Sequence, residues 1–457
     1  MDEPSTLLTL GGLGIIAATV GLLMWNKVSP VVAMVVTPIL GALLVGFGVG
    51  DIVEFFDSGV SQVMDVVVMF IFAILFFGIL SDAGLFDPVV RALILATRGR
   101  VVLVTVGTAL IGVVAHVDGA GATTFLLTVP ALLPLYQALH MSRYLLLLLL
   151  ALSAGIVNMI PWGGPLGRAA SATDIDPVEL YRPLIPLQVA GIVLIVAIAV
   201  LLGIRENRRI RHRVAAGRIE LPEDVDVRGI ADEFAERQRA DRADIVERMN
   251  SARWIYWANV VLALGIIALM LADVMPPALA FMLGVALALP LNFRGSNLQM
   301  ERIRAHAPNA LMMGAVILGA AVFLGVLNES EMLESVALSI LAILPEGLGP
   351  NLHLAMGLLG VPMDLLTSTD AYYFSVLPLV DATAGQFGVT SMETAHAMMI
   401  GNIIGTFVSP FSPALWLALG LSGANLGEHL RYSFFIIWGF SVLMMGAALL
   451  LGIIAIG

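Results

Sequence analysis

The sequence predicts an all-α polytopic membrane protein made of two inverted repeats, each with five transmembrane helices and one re-entrant hairpin. Three observations carry this expectation. The 457 residues are 59% hydrophobic and only 12% charged, well below the roughly 25% charge of soluble domains. The apolar residues gather in runs long enough to cross a bilayer, which takes roughly 20 residues. Finally, sliding the chain along itself by 249 residues, without gaps, brings Ala122 onto Ala371, Phe125 onto Phe374, Pro161 onto Pro410, Glu179 onto Glu428 and Arg182 onto Arg431.

Taken in order, the first repeat (1–204) has spans at 6–25, 29–48, 62–82, 144–168 and 184–204. The second repeat (254–457) has spans at 255–272, 276–291, 309–327, 394–418 and 433–455. Two more apolar stretches, 101–138 and 350–380, are interrupted at their centres by small and polar residues. Both read as hairpins that enter and leave on one face. Each is preceded by an amphipathic piece, Leu85–Leu95 and Met332–Leu344, suited to lie along the membrane surface as a linking arm. Five spans plus a hairpin is an odd number of crossings, so the second repeat is inserted upside down relative to the first. Inverted repeats are an architecture of secondary transporters, which bind substrate between the repeats near the bilayer midplane.

Cation placement bears on the same topology. With an extracytoplasmic amino terminus, 21 of the 23 basic residues fall on the inner side: Lys27, Arg91, Arg98, Arg100, Arg143, the twelve arginines from Arg205 to Arg253, Arg294, Arg302, Arg304 and Arg431. That is the positive-inside pattern. If either hairpin were a full span, every later loop would change sides. Both termini are then expected outside the cell membrane. Residues 205–253 hold twelve arginines against eleven acids and read as a solvated, charged cytoplasmic linker. The start, MDEPST, lacks the positive region of a cleaved signal peptide. With no cysteine, disulfide and thiolate chemistry are excluded, and the 22 methionines read as packing filler.

The polar interruptions place the chemistry. The hairpin tips are DGAGATTF (Asp118 to Phe125) and DLLTSTDAYYF (Asp364 to Phe374); the spans after them break at NMIPWGGP (Asn158 to Pro165) and NIIGTFVSPFSP (Asn402 to Pro413). Glycine and proline release backbone groups there, and half-helix N-termini offer N–H donors and positive dipole ends to an anion. The substrate-binding candidates are Gly119, Ala120, Gly121, Thr123, Thr124, Asn158, Gly163, Gly164, Arg168, Ser368, Thr369, Asp370, Tyr372, Asn402, Ser409 and Ser412. Arg168, in the outer half of a span, can clamp a carboxylate or pair with a buried Asp. His116 and Asp118 form a titratable pair suited to proton coupling. Asp118 and Asp370 would repel an anion on their own. A metal cation or a proton in the same site reconciles them.

Other function classes fit less well. The sequence lacks the Gly-x-Ser-x-Gly and HExxH patterns of hydrolases, so an enzyme is not expected, nor is a nucleic-acid partner or a tightly bound cofactor. A passive channel is disfavoured by broken inverted spans without charged rings.

At HVDGAGATTF, VPALLPLY, NMIPWGGPLGRAA, TDAYYFSVLPL, SPFSPALWL and LGEHLRY the chain resembles the citrate-metal-proton symporter family, CitMHS, within the ion transporter superfamily. The resemblance covers nearly the whole chain. It implies proton-coupled uptake of citrate complexed with a divalent cation of the Mg or Ca type. It further implies an elevator-type movement of hairpins and broken spans against a scaffold, and a homodimer in the bilayer. In related divalent-anion symporters a Ser-Asn-Thr motif fills both tips. Here Gly119-Ala120-Gly121 and Ser368-Thr369-Asp370 stand at those positions, a departure from dicarboxylate-sodium chemistry. The alternative is a sodium- or proton-coupled transporter of another carboxylate or an inorganic oxyanion, without metal.

Overall fold

The fold is seen in a computed structural model that describes residues 5–25, 28–220, 225–246, 249, 253–342, 345 and 347–457. Lys27, Arg248, the first residues of MDEPST and the end of the second expected arm at Leu344 lie outside the described residues. Among those residues every regular element is helical, apart from one isolated antiparallel bridge between Met249 and Phe293.

The first half runs α1 (Thr6–Trp25), α2 (Pro30–Val45), α3 (Val49–Asp82) and α4 (Asp87–Ala96). Ser29 accepts from the Val32 amide, Pro30 opens α2, and Gly46 closes it with a left-handed φ of 112°; that is a helix start and stop written in the local sequence. Next come α5 (Val101–Ala115) and α6 (Gly121–Ala138), then α7 (Arg143–Val157), α8 (Gly164–Thr173), the short α9 (Pro177–Tyr181) and α10 (Ile185–Ala215). The intervening charged stretch holds α11 (Val227–Asp241) and α12 (Ala243–Val246).

The second half repeats the succession: α13 (Arg253–Leu271), α14 (Pro277–Asn292), α15 (Ser296–Glu329) and α16 (Met332–Leu341). The lengths 20, 16, 34 and 10 of α1–α4 recur as 19, 16, 34 and 10. Then follow α17 (Leu352–Leu358), α18 (Gly360–Leu366), α19 (Thr369–Ala371), a π-helical turn over Tyr372–Val376, α20 (Leu377–Gly385), α21 (Ser391–Asn402), α22 (Pro413–Ser422) and α23 (Leu426–Leu450). Thr390 and Glu393 form a reciprocal capping box at the start of α21.

Among the described residues seven helices are long and apolar enough to cross a membrane, one of them Val101–Asp118. Six of them are among the ten spans of the sequence reading, the other four being the 16-residue α2 and α14 and the two spans that the structure divides, while Val101–Asp118 is the first limb of the first expected hairpin. The interruptions fall between Val157 and Gly164 and between Asn402 and Pro413, where Pro161, Pro165, Pro410 and Pro413 cannot supply helix N–H donors. The limbs of each stretch read as a hairpin touch one another, α5 with α6 and α17 with α20.

The two 34-residue helices, α3 and α15, form the most extensive helix pair. They cross at Gly59 and Gly325, where a Cβ would stand 2.1 Å from the Ala321 and Phe55 carbonyl oxygens respectively. Only glycine permits so close a backbone approach, the small-residue device of membrane helix packing. The hairpins and divided helices pack together beside this pair: α6 against α22, α8 against α21, and α7 against α23.

Contacts sort the loops onto two faces. On one, Arg91 donates to Asp232 (2.5 Å), Arg302 and His306 reach Asp82 (3.8 and 2.8 Å), and Arg143 donates to the Gly423 carbonyl (2.6 Å). On the other, Ser58 donates to Glu329 (2.7 Å) and His396 Nε2 meets the Leu180 carbonyl (2.8 Å). The charged stretch differs from a solvated linker. Helix α10 runs eleven residues past the expected end of its span, to Ala215, and α11 docks on α4 and α6 with Val227, Ala231 and Phe234 buried. The cause is an apolar stripe at positions 227, 231 and 234, the i, i+4, i+7 spacing of one helix face, hidden in the sequence by its arginines and acids.

Candidate functional site

A cavity of about 360 Å³ lies where the two halves meet, within the size range of small-ligand sites. Its polar end is built from interrupted backbone. Four helix starts reach it: Ala120-Gly121 of α6, Gly164 of α8, Ser368-Thr369 of α19 and Ser412-Pro413 of α22. At α6, α8 and α22 no side chain caps the first turn, so backbone N–H groups and positive dipole ends there are left for a ligand. Gly119 turns the chain into α6 with φ 72°, and a Cβ there would sit 2.8 Å from the Trp162 carbonyl oxygen. This is a tip that needs glycine twice over, for conformation and for space.

The charged groups of the cavity are Asp118, Arg168 and Asp370. Asp118 folds back on its own loop, accepting from the Ala120 amide at 2.9 Å. Arg168, on α8, donates from Nε to Oδ1 of Asp370 on α19 at 2.7 Å, with the two side chains only 14% and 15% exposed. The pair joins the first half to the second across the cavity. A Cβ at Gly164 would stand 2.8 Å from an Arg168 terminal nitrogen, so bare backbone lets the guanidinium curl inward. An ion pair this shielded stabilises little net, because desolvation offsets attraction, yet removing one partner is costly.

Of the residues singled out from the sequence, Asp118, Gly119, Ala120, Gly121, Thr123, Asn158, Gly164, Arg168, Ser368, Thr369, Asp370 and Ser412 line the cavity. His116, Thr124, Gly163, Tyr372, Asn402 and Ser409 stand behind the wall instead. Buried His116 places Nδ1 2.6 Å from Thr124 Oγ1 and Nε2 2.7 Å from Asn158 Oδ1. A hydroxyl can turn and an amide can present either end, so this setting accepts a neutral or a protonated ring. The Tyr372 hydroxyl points to the Met356 and Met398 carbonyls at 3.3 and 3.2 Å. Asn402 donates to Asp364 at 2.7 Å and to the Gly360 carbonyl at 3.1 Å. Ser409 accepts from the Phe411 amide at 3.3 Å, and at Gly163 a Cβ would collide with the Asn158 carbonyl, 2.3 Å away.

The cavity also has an apolar wall that the sequence reading missed: Phe70 and Ile74 of α3 and Met312, Met313 and Val316 of α15, with Asn309 as its polar member. Asn309 carried a signal, an amide directly after Pro308 at the start of an apolar span. The others are ordinary span residues whose role depends on which helix faces the hairpins. Trp162 closes the site, donating to the Val117 carbonyl at 2.8 Å and stacking on Phe77 with ring centroids 5.3 Å apart. Among the described residues no three His, Asp or Glu side chains gather in a metal-binding cluster.

A family model described as citrate transporter, CitMHS, matches residues 20–405. A citrate transporter of Bacillus subtilis (strain 168) is 33% identical over 434 residues, covering 95% of this chain and 96% of that protein. A Mg(2+)/citrate complex secondary transporter of the same organism is 35% identical over 437 residues, with the same shares of 95% and 96%. Among solved structures, that of the YdaH transporter of Alcanivorax borkumensis covers 99% of both chains with a TM-score of 0.56 at 16% identity, a likeness of fold alone.

Proposed function

The chain belongs to the citrate transporter family, CitMHS, and we propose that it is a secondary active transporter carrying citrate as a complex with a divalent metal ion, in symport with protons. The observation that carries the proposal is the Arg168–Asp370 pair, held at 2.7 Å inside the cavity beside four helix starts. A free polycarboxylate would suit the arginine and the N-termini but be repelled by Asp370 and Asp118. A metal-citrate complex has both signs. Its carboxylates take the guanidinium and the backbone N–H groups, and its metal, of the Mg or Ca type, faces Asp370 and Asp118, so neither member of the separated ion pair is left alone. The metal arrives as part of the substrate and needs no full set of protein ligands.

Binding of this kind exchanges an internal pair between the halves for two contacts to substrate. His116 and Asp118 remain the coupling pair we propose for the proton. The wall from α3 and α15 is largely apolar while the opposite wall is polar and carried by the hairpins, a division that supports elevator-type sliding of one against the other. In this reading the two copies of a homodimer join through the scaffold helices, the arginine-rich face is cytoplasmic, and both termini lie outside. The relative described as a Mg(2+)/citrate complex secondary transporter supports the choice of substrate.

Proteoliposome uptake of labelled citrate over a panel of divalent ions tests the proposal. Uptake should require a divalent ion and follow the concentration of the complex. Uptake that is independent of metal, or driven by sodium, would transfer the assignment to a plain carboxylate or oxyanion carrier.

A further inference from the structure

Asp364 is a fully buried carboxyl on α18, the first limb of the second hairpin, and neither the cavity wall nor the ion pair uses it. Its neighbours are neutral. Oδ2 accepts from Asn402 Nδ2 at 2.7 Å, and Oδ1 lies 3.5 Å from the Thr369 hydroxyl. Gly405 leaves room for it, since a Cβ there would stand 2.1 Å from Oδ2. Asn402 Oδ1 is itself buried and unpartnered, a spare acceptor beside the carboxyl. An ionised carboxylate at this depth, without a cation, costs several kcal/mol; a protonated one does not, and its O–H can donate to the Thr369 oxygen.

The charged and titratable groups of the surrounding elements are otherwise engaged or remote in the chain. Arg168 is bound to Asp370. On α21, Glu393 caps its own helix and His396 meets the Leu180 carbonyl. On α23, Glu428 accepts from Tyr144, His429 faces the Phe407 carbonyl at 3.3 Å, and Arg431 lies two residues beyond. On α17, His353 meets the Ala455 carbonyl at 3.2 Å. Tyr372 is turned to backbone carbonyls, and neighbouring Tyr373 is buried. A path to the cavity does exist: Thr369 Oγ1 is 3.1 Å from Thr406 Oγ1, and both threonines line the cavity.

We infer that Asp364 is a second proton-binding site of the transport cycle, filled and emptied from the cavity through the hydroxyls of Thr369 and Thr406. A hydronium ion in the cavity gives a proton to the Thr406 hydroxyl, Thr406 passes its own proton to Thr369, and Thr369 passes its own to Oδ1, leaving water in the cavity and a neutral carboxyl in the wall. The relay reverses on release and leaves Asp364 ionised, held by the Asn402 and Thr369 donors. The site mirrors His116, which likewise stands toward the tip end of the first limb of its hairpin and is bonded to an asparagine, Asn158, at the end of the helix after the hairpin, as Asn402 stands at the end of α21. This inference rests on the proton-coupled reading above.

The test is the number of protons exchanged when purified protein binds magnesium citrate, measured by calorimetry in buffers of different ionisation enthalpy, for wild type and Asp364→Asn. The amide keeps the shape and accepts from Asn402, and the expected result is a count lower than wild type with a flattened pH dependence of binding. A wild-type count and pH profile in the variant overturn the inference. Where the variant does not fold, carbodiimide labelling of wild-type protein mapped by mass spectrometry replaces it. Modification of Asp364 should rise as pH falls, and an adduct that is pH-independent or absent overturns the site. That labelling needs no citrate, so failure of wild type to bind magnesium citrate sinks the substrate assignment while protonation of Asp364 is still decided by the adduct.

Discussion

At the first hairpin tip the chain offers backbone: Gly119 with φ 72°, Ala120 and Gly121, with no side-chain cap on α6. At the second tip it offers side chains, Ser368, Thr369 and Asp370, with the Ser368 hydroxyl accepting from the Ala371 amide at 3.2 Å. Behind the first tip stands a histidine held by an asparagine, and behind the second a carboxyl held by an asparagine. Two segments that the 249-residue offset sets opposite one another thus meet one cavity with different chemistry. The first is suited to an anion that must come close to the main chain, the second to a cation and a proton. A substrate carrying both signs gives each tip a task.

The largest expected effect tests the closeness of the first tip. A Cβ at Gly121 would stand 3.1 Å from Ala414 Cβ and 3.2 Å from Phe407 Cε1, so Gly121→Val drives two methyl groups into the α6–α22 contact. Overpacking of this kind costs about 1–3 kcal/mol and fills the mouth of the anion site. Citrate uptake is expected to fall at least ~100-fold, about 2.8 kcal/mol at 1.4 per decade, while the protein still purifies as a folded species. Undiminished uptake would show that the first tip does not receive the substrate.

How far these features were legible in the sequence follows from which forces are local. Glycine clusters, prolines and polar residues inside lipid-length apolar runs are costly anywhere but at a protein-lined cavity, so the tips and breaks could be read residue by residue. The pairing of Arg168 with Asp370 could be foreseen only as one of two options, because the partners lie 202 positions apart and meet through packing between the halves. His116 and Tyr372 bear polar groups that look available in sequence and are taken up by carbonyls, amides and hydroxyls behind the wall, where Asn402 spends its amide N–H groups on Asp364 and the Gly360 carbonyl. The apolar wall from Phe70 to Val316 had no signal of its own, since one valine in a span resembles another until its neighbour is known.

An intermediate effect tests the division of charge between the halves. Arg168→Gln leaves Asp370 shielded and alone, a loss of about 3–5 kcal/mol where a buried pair is broken, and both thermal stability and uptake should drop. Adding Asp370→Asn removes the stranded charge. The double variant should regain most of the melting temperature yet transport no better than the single one, since the substrate has lost both the guanidinium and the metal contact. Recovery of uptake along with stability would reduce the pair to a structural brace and remove the chemical distinction between the tips.

The smallest effect on transport is expected at the support of the first hairpin. Helix α11 lies on α4 and α6 with Phe234 buried, while the corresponding limb of the second hairpin has no such docked helix from the charged stretch among the described residues. Phe234→Ala removes a buried aromatic, a change worth about 3–5 kcal/mol in a well-packed core and less at a docked surface helix that can lift away whole. Proteolysis within 216–253 should accelerate at least about tenfold, corresponding to ~1.4 kcal/mol of undocking, while uptake stays within about threefold, roughly 0.7 kcal/mol. If uptake instead falls as far as it does for Arg168→Gln, α11 belongs to the transporting unit, and the first hairpin depends on a support that the second does without.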